Sequence, residues 1–176
     1  MNLDVVFDTF PSLETERFIL RALRPADSAS LLSVLGDHEV TRYYDDDVFK
    51  SISQAEDQIQ SWSAGFIARR CIRWGITLRE RDEIIGTCGY YGFHRLHNRA
   101  GIGYELARPF WRNGIMTEAL REIIRFGFDK VGLNRIQATV MMSNEGSVKL
   151  LEGLGFHQEG VLRQYEKWGS KGYGGF

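Results

Sequence analysis

Cysteine and proline are scarce in this sequence, and their scarcity narrows the class of protein. Only two of the 176 residues are cysteines, Cys71 and Cys88, and they lie well apart and outside any Cys-x-x-Cys motif. A disulfide framework or a zinc site is therefore not expected, and two small core residues in a reducing cytosol are the simpler interpretation. The three prolines are scattered, and no Pro- or Ser-rich linker or internal repeat divides the chain. We therefore expect one domain over residues 1–176, which is long enough to bury a substantial core.

An excess of charge of either sign is also lacking. The chain has 22 Lys and Arg residues against 23 Asp and Glu residues, which gives a formal net charge of -1. This balance indicates no general electrostatic affinity for nucleic acid or for an anionic membrane. No apolar run approaches ~18 residues, and the N-terminal residues lack the cationic-then-apolar order of a signal peptide. We therefore expect a cytoplasmic protein that contacts neither nucleic acid nor membrane directly.

Hydrophobic periodicity predicts a mixed α/β fold built on one sheet. The middle of the chain reads as an antiparallel meander with a hairpin at residues 79–82, and the later part reads as strand–helix–strand–helix–strand. Strands are expected at residues 17–23, 71–79, 83–91, 101–107, 136–141 and 156–168. Helices are expected at about residues 25–35, 53–69, 115–131 and 144–154. Pro25 suits a first helical turn, and Ser51 or Ser53 suits a cap.

The helix expected after Gly114 begins in an unusual way. Asn113 and Gly114 lead into it without the usual kind of polar cap. A helix start leaves about four N–H groups unpaired, with about half a positive charge. In a tight turn these amides, together with Arg112, would form an anion site that suits a diphosphate. The Walker motif and the Gly-x-Gly-x-x-Gly motif are both absent, and from this stretch alone a plain strand-to-helix turn remains the alternative.

Two fragments of the chain together resemble the GNAT superfamily of N-acetyltransferases. Residues 111–116, Trp-Arg-Asn-Gly-Ile-Met, resemble its acyl-CoA motif, Gln/Arg-x-x-Gly-x-Gly/Ala, with Trp and Met at the two ends. Residues 144–156, Asn-Glu-Gly-Ser-Val-Lys-Leu-Leu-Glu-Gly-Leu-Gly-Phe, resemble a later block. The Thr-Glu-Ala at 117–119 and the stretch 13–21 are similar to the ribosomal-protein N-terminal acetyltransferases of the RimJ/RimL type. The resemblance covers about residues 13–168.

This resemblance implies a GNAT-like fold and activity for one N-acetyltransferase domain. The fold would be α/β, with one mostly antiparallel central sheet flanked by helices. Members of this branch usually carry another strand after the region of Tyr165, whereas this chain stops at Phe176, so the final strand is expected to be missing or altered. The implied reaction moves the acetyl group of acetyl-CoA to a primary amine by direct attack, without a metal. The expected partner is an amine acceptor, with a ribosomal or other protein N-terminus as a candidate, and a homodimer is left open.

The resemblance also implies where acetyl-CoA binds as co-substrate. Its diphosphate would lie on the backbone amides at the helix start, and its pantetheine would run along the preceding strand. The Leu106 N–H would face the thioester carbonyl oxygen, with ordinary sheet pairing as the alternative. Asn144 would cap its helix and could also touch pantetheine. The implied binding residues are Leu106, Ala107, Arg112, Asn113, Gly114, Ile115, Met116, Thr117 and Asn144.

Three residues are candidates for the chemistry. Ser147 shares a helix face with three leucines and so points inward; the resemblance assigns it to the departing sulfur, and capping is the alternative. Leu151 stands where many GNAT enzymes place a Tyr acid. Glu166 aligns with the base of the ribosomal-serine type, and apolar neighbours would raise its pKa towards neutrality. Glu105, on the strand before the diphosphate turn, is the rival base.

Two further groups of polar residues are considered as sites. His94 and His97 resemble half of a metal site, but no nearby carboxylate or Cys completes it, so polar loop residues are the simpler interpretation. The acids at 45–47 follow the first helix, where acceptors approach in the GNAT fold. They would attract a cationic amine, or would simply form a solvated loop.

The choice of amine follows from reference pKa values. At pH 7 an α-amine with a pKa of about 7.8 is roughly 14% neutral, and a lysine with a pKa of about 10.4 is roughly 0.04% neutral. Deprotonation of the lysine therefore costs about 3.4 kcal/mol more than deprotonation of the α-amine. A single glutamate is a sufficient base for the α-amine more readily than for the lysine. We therefore expect a protein or peptide N-terminus as acceptor. A small-molecule amine (polyamine, amino acid or antibiotic) and a non-catalytic acyl-CoA-binding role are the alternatives.

Overall fold

A six-stranded sheet forms the centre of the fold in this computed structural model, which describes residues 1–44, 47–167 and 173–174, without the side chains beyond residue 165. The strands lie in chain order, and all neighbours are antiparallel except the last pair, which is parallel. Residues Leu78 and Arg81 face each other at the predicted hairpin. The strands are β1 (Leu13–Glu14), β2 (Phe18–Ala22), β3 (Cys71–Leu78), β4 (Arg81–His94), β5 (Arg99–Leu106) and β6 (Arg135–Gln137).

Six helices flank this sheet within the described ranges. The first four are α1 (Leu3–Val6), α2 (Ser28–Leu35), α3 (His38–Thr41) and α4 (Ile52–Ile67), and the last two are α5 (Ile115–Phe126) and α6 (Glu145–Gly153). A π turn, Gly127–Val131, extends α5 to the predicted end. Ser51 caps α4 in a reciprocal pair with Gln54, as one of the two predicted alternatives. Across the part of the chain that is described, no helix is both long and apolar enough to span a membrane.

The sheet separates two apolar cores. The larger core packs the inner side of α5 against the sheet, with Trp74, Tyr90 and Leu120 fully buried. The smaller core packs α2 and α4 against the opposite region, around Leu31 and Ile59. Because helices cover both faces, most residues of β5 are buried, including Ala100, Ile102 and Leu106.

The parallel pair β5–β6 is much shorter than the sequence predicts. Pairing runs only from Arg99 opposite Arg135 to Gly101 opposite Gln137, while β5 continues to Leu106. The predicted strand at 136–141 is therefore wrong beyond Gln137. Thr139 and Val140 are strand-forming residues but have no ladder partner, and side-chain propensity alone does not maintain a strand.

The predicted strand at 156–168 is also wrong over residues 156–165. Residues 156–165 are irregular, and only Glu166–Lys167 pairs, with Tyr173–Gly174, as a separate two-stranded ladder of β7 and β8. Residue 168 lies outside the described residues. Residues 169–172 and 175–176 also lie outside the described residues, so the expectation of a missing or altered final strand stays a prediction. A groove of about 540 Å³, partly lined by Phe128 and Leu162, lies beside β6.

Candidate active site

The first element of the site is the edge of β5 between Gly101, where pairing with β6 ends, and Leu106. The Ala107 N–H donates to the Ile85 carbonyl oxygen of the β4 side at 2.8 Å. Successive residues of a strand direct their backbone groups to opposite edges, so the Leu106 N–H points away from β4. Its carbonyl oxygen, on the same edge, accepts the indole N–H of Trp111 at 2.7 Å. No strand of the described chain pairs with this edge beyond Gly101, so the Leu106 N–H points to an edge that has no neighbouring strand.

The turn before α5 has the backbone shape of an anion site. Arg112 and Gly114 both adopt left-handed conformations, with φ of 61° and 69°. The Glu118 N–H donates to the Gly114 carbonyl oxygen at 3.1 Å and closes the first helical turn. The preceding amides lie ahead of the helical ladder, and among the described residues no side-chain hydrogen bond caps this helix at Gly114. These amides are therefore oriented to bind an anion.

The side chains of the motif explain why its two departures from the family pattern are tolerated. Ile115 and Met116 are buried in the larger core, so the methionine side chain fills core space. Trp111 fixes the turn through its bond to Leu106, and the Asn113 amide donates to the Trp111 carbonyl oxygen at 3.1 Å. Thr117 is half-buried in the first turn.

Arg17 is a residue of this turn that the sequence reasoning missed. It lies just before β2, and its guanidinium donates to the Asn113 carbonyl oxygen at 3.1 Å and to Glu118 at 2.7 Å. Its Nη2 atom lies 3.6 Å from the position that a Cβ on Gly114 would occupy. The two segments are 96 residues apart in the chain, so no local periodicity could have revealed the contact.

Glu105 lies at the centre of a buried polar cluster. It is 5% exposed, forms an ion pair with Arg73 and accepts the hydroxyl of Thr87. The Tyr44 hydroxyl donates to it at 2.7 Å, and burial, followed by the Glu105 charge, raises the pKa of Tyr44 well above 10. Both carboxylate oxygens are therefore occupied by donors within the protein, as is usual for a buried charge.

A cavity of about 240 Å³ opens beside this cluster. Its walls come from α2, the loop after α3, α4 and β5, and include Tyr44, Asp47, Phe49, Trp62 and Tyr104. Asp47 thus lies at the cavity, whereas Asp45 and Asp46 lie outside the described residues. The mixture of aromatic walls and acids suits an amine that carries a small group.

The start of α6 brings Ser147 to β5. The Asn144 side chain accepts the Ser147 N–H at 3.2 Å, so Asn144 is a cap as the sequence predicts. The Ser147 hydroxyl instead lies 2.6 Å from the Tyr104 hydroxyl. Burial raises the pKa of Tyr104 to about 12, so this phenol keeps its proton at neutral pH. Leu151 is buried one turn later.

The remaining candidate residues are Glu166, His94 and His97. The backbone of Glu166 belongs to β7, but its side chain lies outside the described residues. His94 and His97 stack with ring centroids 4.5 Å apart, and His94 Nδ1 accepts the His97 backbone N–H. Of the residues whose positions are described, no three His, Cys, Asp or Glu form a cluster that could hold a metal ion.

Comparisons with known proteins identify the family and the fold of this chain. The acetyltransferase (GNAT) domain family matches residues 17–157. The chain is 44% identical over 156 residues, 89% of its length and 88% of the relative's, to an uncharacterised N-acetyltransferase of Bacillus subtilis, YoaA. Mycobacterium smegmatis RimJ in complex with CoA-disulfide has a TM-score of 0.83 at 24% identity, covering 93% of this chain and 83% of that one.

A second solved structure has the same fold. The microcin C7 self-immunity acetyltransferase MccE, in complex with acetyl-CoA and AMP, has a TM-score of 0.80 at 19% identity, over 91% of this chain and 89% of that one. At these identities the two structural likenesses show a shared fold and nothing finer. The family itself is shown by the domain match and by the relative from Bacillus subtilis.

Proposed function

This chain belongs to the GNAT family of acetyltransferases, and we propose that it moves the acetyl group of acetyl-CoA to the α-amine of a protein or peptide N-terminus. The observation that carries this proposal is one continuous path along β5. The path begins at the α5 turn, follows the edge of β5 past the Leu106 N–H, and ends at Tyr104, a residue that lines the 240 Å³ cavity and whose hydroxyl lies 2.6 Å from the Ser147 hydroxyl. A cofactor site, a carbonyl-binding amide and an acceptor pocket therefore lie in the order that direct transfer requires.

The proposed mechanism needs no covalent enzyme intermediate. The amides of residues 112–117 hold the diphosphate, and Asn144 and Ala107 flank the pantetheine. The Leu106 N–H stabilises the negative charge that develops on the thioester carbonyl oxygen during attack. The Ser147 hydroxyl donates to the sulfur as it leaves. The enzyme is proposed to act in the cytoplasm, as one domain over residues 1–176.

We assign the base to Glu166 rather than to Glu105. Glu105 already accepts donors from Arg73, Thr87 and Tyr44, and protonation during turnover would leave the Arg73 charge buried without its partner. Breaking a buried ion pair in this way costs about 3–5 kcal/mol. The geometry thus favours a structural role for Glu105 in the wall of the acceptor pocket. The cost of breaking this ion pair does not apply to Glu166, which remains the candidate base.

The acceptor assignment combines the cavity with amine chemistry. A cavity of about 240 Å³ admits one small residue or the amine end of a longer molecule. An α-amine needs about 3.4 kcal/mol less than a lysine to lose its proton at pH 7, and one carboxylate can supply this more readily. The second candidate is a small-molecule amine, which the size of the cavity and the acid at Asp47 also suit.

Consumption of acetyl-CoA tests the proposal directly. The panel contains peptides with different N-terminal residues, the same peptides with blocked N-termini, polyamines, aminoglycosides and free amino acids. We expect turnover with free N-termini and none with the blocked forms. Turnover with small amines alone would establish the second candidate, and acetyl-CoA binding without any turnover would indicate a non-catalytic binder.

Glu166→Gln tests the base within the same assay. Glutamine preserves the shape of the side chain but cannot accept the proton, so kcat/KM should fall roughly 10²-fold or more. Binding of acetyl-CoA, measured by calorimetry, should be unchanged. Full activity of this variant would mean that water or the neutral fraction of the acceptor suffices, and the assignment of Glu166 would be wrong.

A further inference from the structure

The hydroxyls of Tyr104 and Ser147 leave one proton free between them. They lie 2.6 Å apart, and either oxygen could donate. Each hydroxyl carries one proton, so a single hydrogen bond between them uses one and leaves the other for a third group. The Ser147 hydroxyl is not occupied by helix capping, because the Asn144 side chain bonds the Ser147 backbone N–H instead.

The identity of the free proton follows from the chemistry of the two oxygens. A phenol is more acidic than an aliphatic alcohol and is the stronger hydrogen-bond donor of the two. Burial keeps Tyr104 protonated, with its pKa at about 12. Tyr104 is therefore the donor and Ser147 Oγ the acceptor, which leaves the Ser147 proton for another partner.

The position of the pair identifies that partner. Tyr104 extends from β5, where the edge is open, and Ser147 lies in the first turn of α6. Tyr104 packs against the larger core, so the two hydroxyls lie beside β5, along which the proposed pantetheine path runs. We propose that Tyr104 is a positioning residue, which donates to Ser147 Oγ and so directs the Ser147 proton at the departing sulfur.

This inference rests on the proposed acetyl transfer and adds one residue to it. In that reaction the amine nitrogen forms the new bond to the acetyl carbon and gives one proton to the base. The C–S bond breaks, and its electron pair stays on sulfur. The Ser147 hydroxyl donates a hydrogen bond to this thiolate without losing its proton, and solvent finally supplies the proton that yields CoA.

A double-mutant cycle tests whether Tyr104 acts through Ser147. Tyr104→Phe should lower kcat about 3- to 10-fold, the equivalent of one ordinary hydrogen bond, with the KM for acetyl-CoA unchanged. Ser147→Ala should lower kcat further. The double variant should be no slower than Ser147→Ala alone, because Tyr104 has nothing left to position. Effects that multiply instead would show that Tyr104 acts independently, and would overturn the proposal.

Tyr90→Phe is the matched control for stability. Its hydroxyl donates to the Ile123 carbonyl oxygen at 2.5 Å in the core, away from the site. It should lower the midpoint of thermal unfolding without lowering kcat. If Tyr104→Phe lowers kcat only in proportion to its fraction unfolded, the role of Tyr104 is structural and the proposal is wrong.

A second measurement needs no acceptor. The thiol of bound CoA is titrated by the ultraviolet absorbance of its thiolate, with protein loaded with desulfo-CoA as the reference. Donation by Ser147 stabilises the thiolate, so Ser147→Ala and Tyr104→Phe should each raise the pKa of the bound thiol by about half a unit to one unit. An unchanged thiol pKa in both variants would overturn the inference, even if the acceptor panel gave no turnover.

Discussion

Helices α5 and α6 begin in opposite ways, although both first turns belong to the proposed acetyl-CoA site. At α5 a left-handed Gly114 precedes the helix, and among the described residues no side-chain bond caps it. At α6 the Asn144 side chain accepts the Ser147 N–H and completes a cap. The first helix therefore has amides without a side-chain cap, whereas the first turn of the second is capped by a side chain and carries the Ser147 hydroxyl.

This difference indicates that binding and chemistry have separate physical bases. At α5 the proposed interaction with a diphosphate would depend on backbone direction, so the side chains at Trp111 and Met116 would be free to differ from the family pattern provided that the turn is kept. At α6 the interaction depends on one hydroxyl, and any residue without it loses the function. Substitutions at α5 should therefore affect affinity, and substitutions at α6 should affect the rate.

The largest expected effect is that of Gly114→Glu. A carboxylate at this position meets the diphosphate directly, and like charges in contact cost several kcal/mol, so the Kd for acetyl-CoA should rise roughly 100-fold or more. Calorimetry measures the loss. Gly92→Glu is the control, because Gly92 also has a positive φ (60°) but lies on β4, with nothing within 4 Å of the position that a Cβ would occupy. Equal loss of affinity in both variants would contradict the assignment of the diphosphate site to the α5 turn.

The next effect is that of Ser147→Ala, which should act on the rate alone. Removal of one preorganised donor to developing charge costs roughly 10²-fold in kcat, while the KM for acetyl-CoA stays near the wild-type value. Steady-state kinetics and thermal unfolding are measured on the same preparation. A rise in KM with unchanged kcat would make α6 a binding element like α5 and would break the comparison.

Asn144→Ala should change stability more than rate. Loss of an N-cap costs about 1 kcal/mol, and Ser51→Ala, at the N-cap of α4, should cost a similar amount without any effect on turnover. Denaturant unfolding measures both. A several-fold rise in the KM for acetyl-CoA in Asn144→Ala alone would show that the cap also touches the cofactor.

The sequence predicts the backbone-dependent parts of this molecule better than the parts that depend on distant contacts. The turn at Gly114 and the cap at Asn144 follow from local spacing, and both are found as expected. The partners of Glu105 and the approach of Tyr104 to Ser147 need the folded sheet to bring segments together. The strand at 156–168 fails for a related reason, since a strand requires a partner that its own sequence does not specify.

Arg17 tests whether the α5 turn relies on backbone alone. Its guanidinium adds a charge beside Gly114, but its side chain is 46% exposed, and such charges contribute at most about 1 kcal/mol. Arg17→Leu should therefore weaken acetyl-CoA binding about 2- to 5-fold, and less so in high salt. Arg125→Leu, at the far end of α5 and paired with Glu122, should leave affinity unchanged. A loss as large as that of Gly114→Glu would mean that a side chain dominates this turn too.

The smallest expected effect is that of Glu118→Gln, which loosens Arg17 without removing it. Burial alone would raise the pKa of Glu118, but bonds from Thr15 and Arg17 outweigh it and hold the pKa below its ordinary value of 4.5. A carboxyl with a lowered folded-state pKa stabilises the protein above its unfolded pKa, and that contribution is lost as pH falls through the folded value. The variant should be less stable than wild type by under about 1 kcal/mol at pH 7. The difference should disappear in acid below that window, as denaturant unfolding at several pH values can measure.

Acetyl-CoA affinity should fall less than in Arg17→Leu, because Arg17 keeps its bond to Asn113. A stability difference that persists unchanged in acid would show that the charge of Glu118 does not hold Arg17 in place.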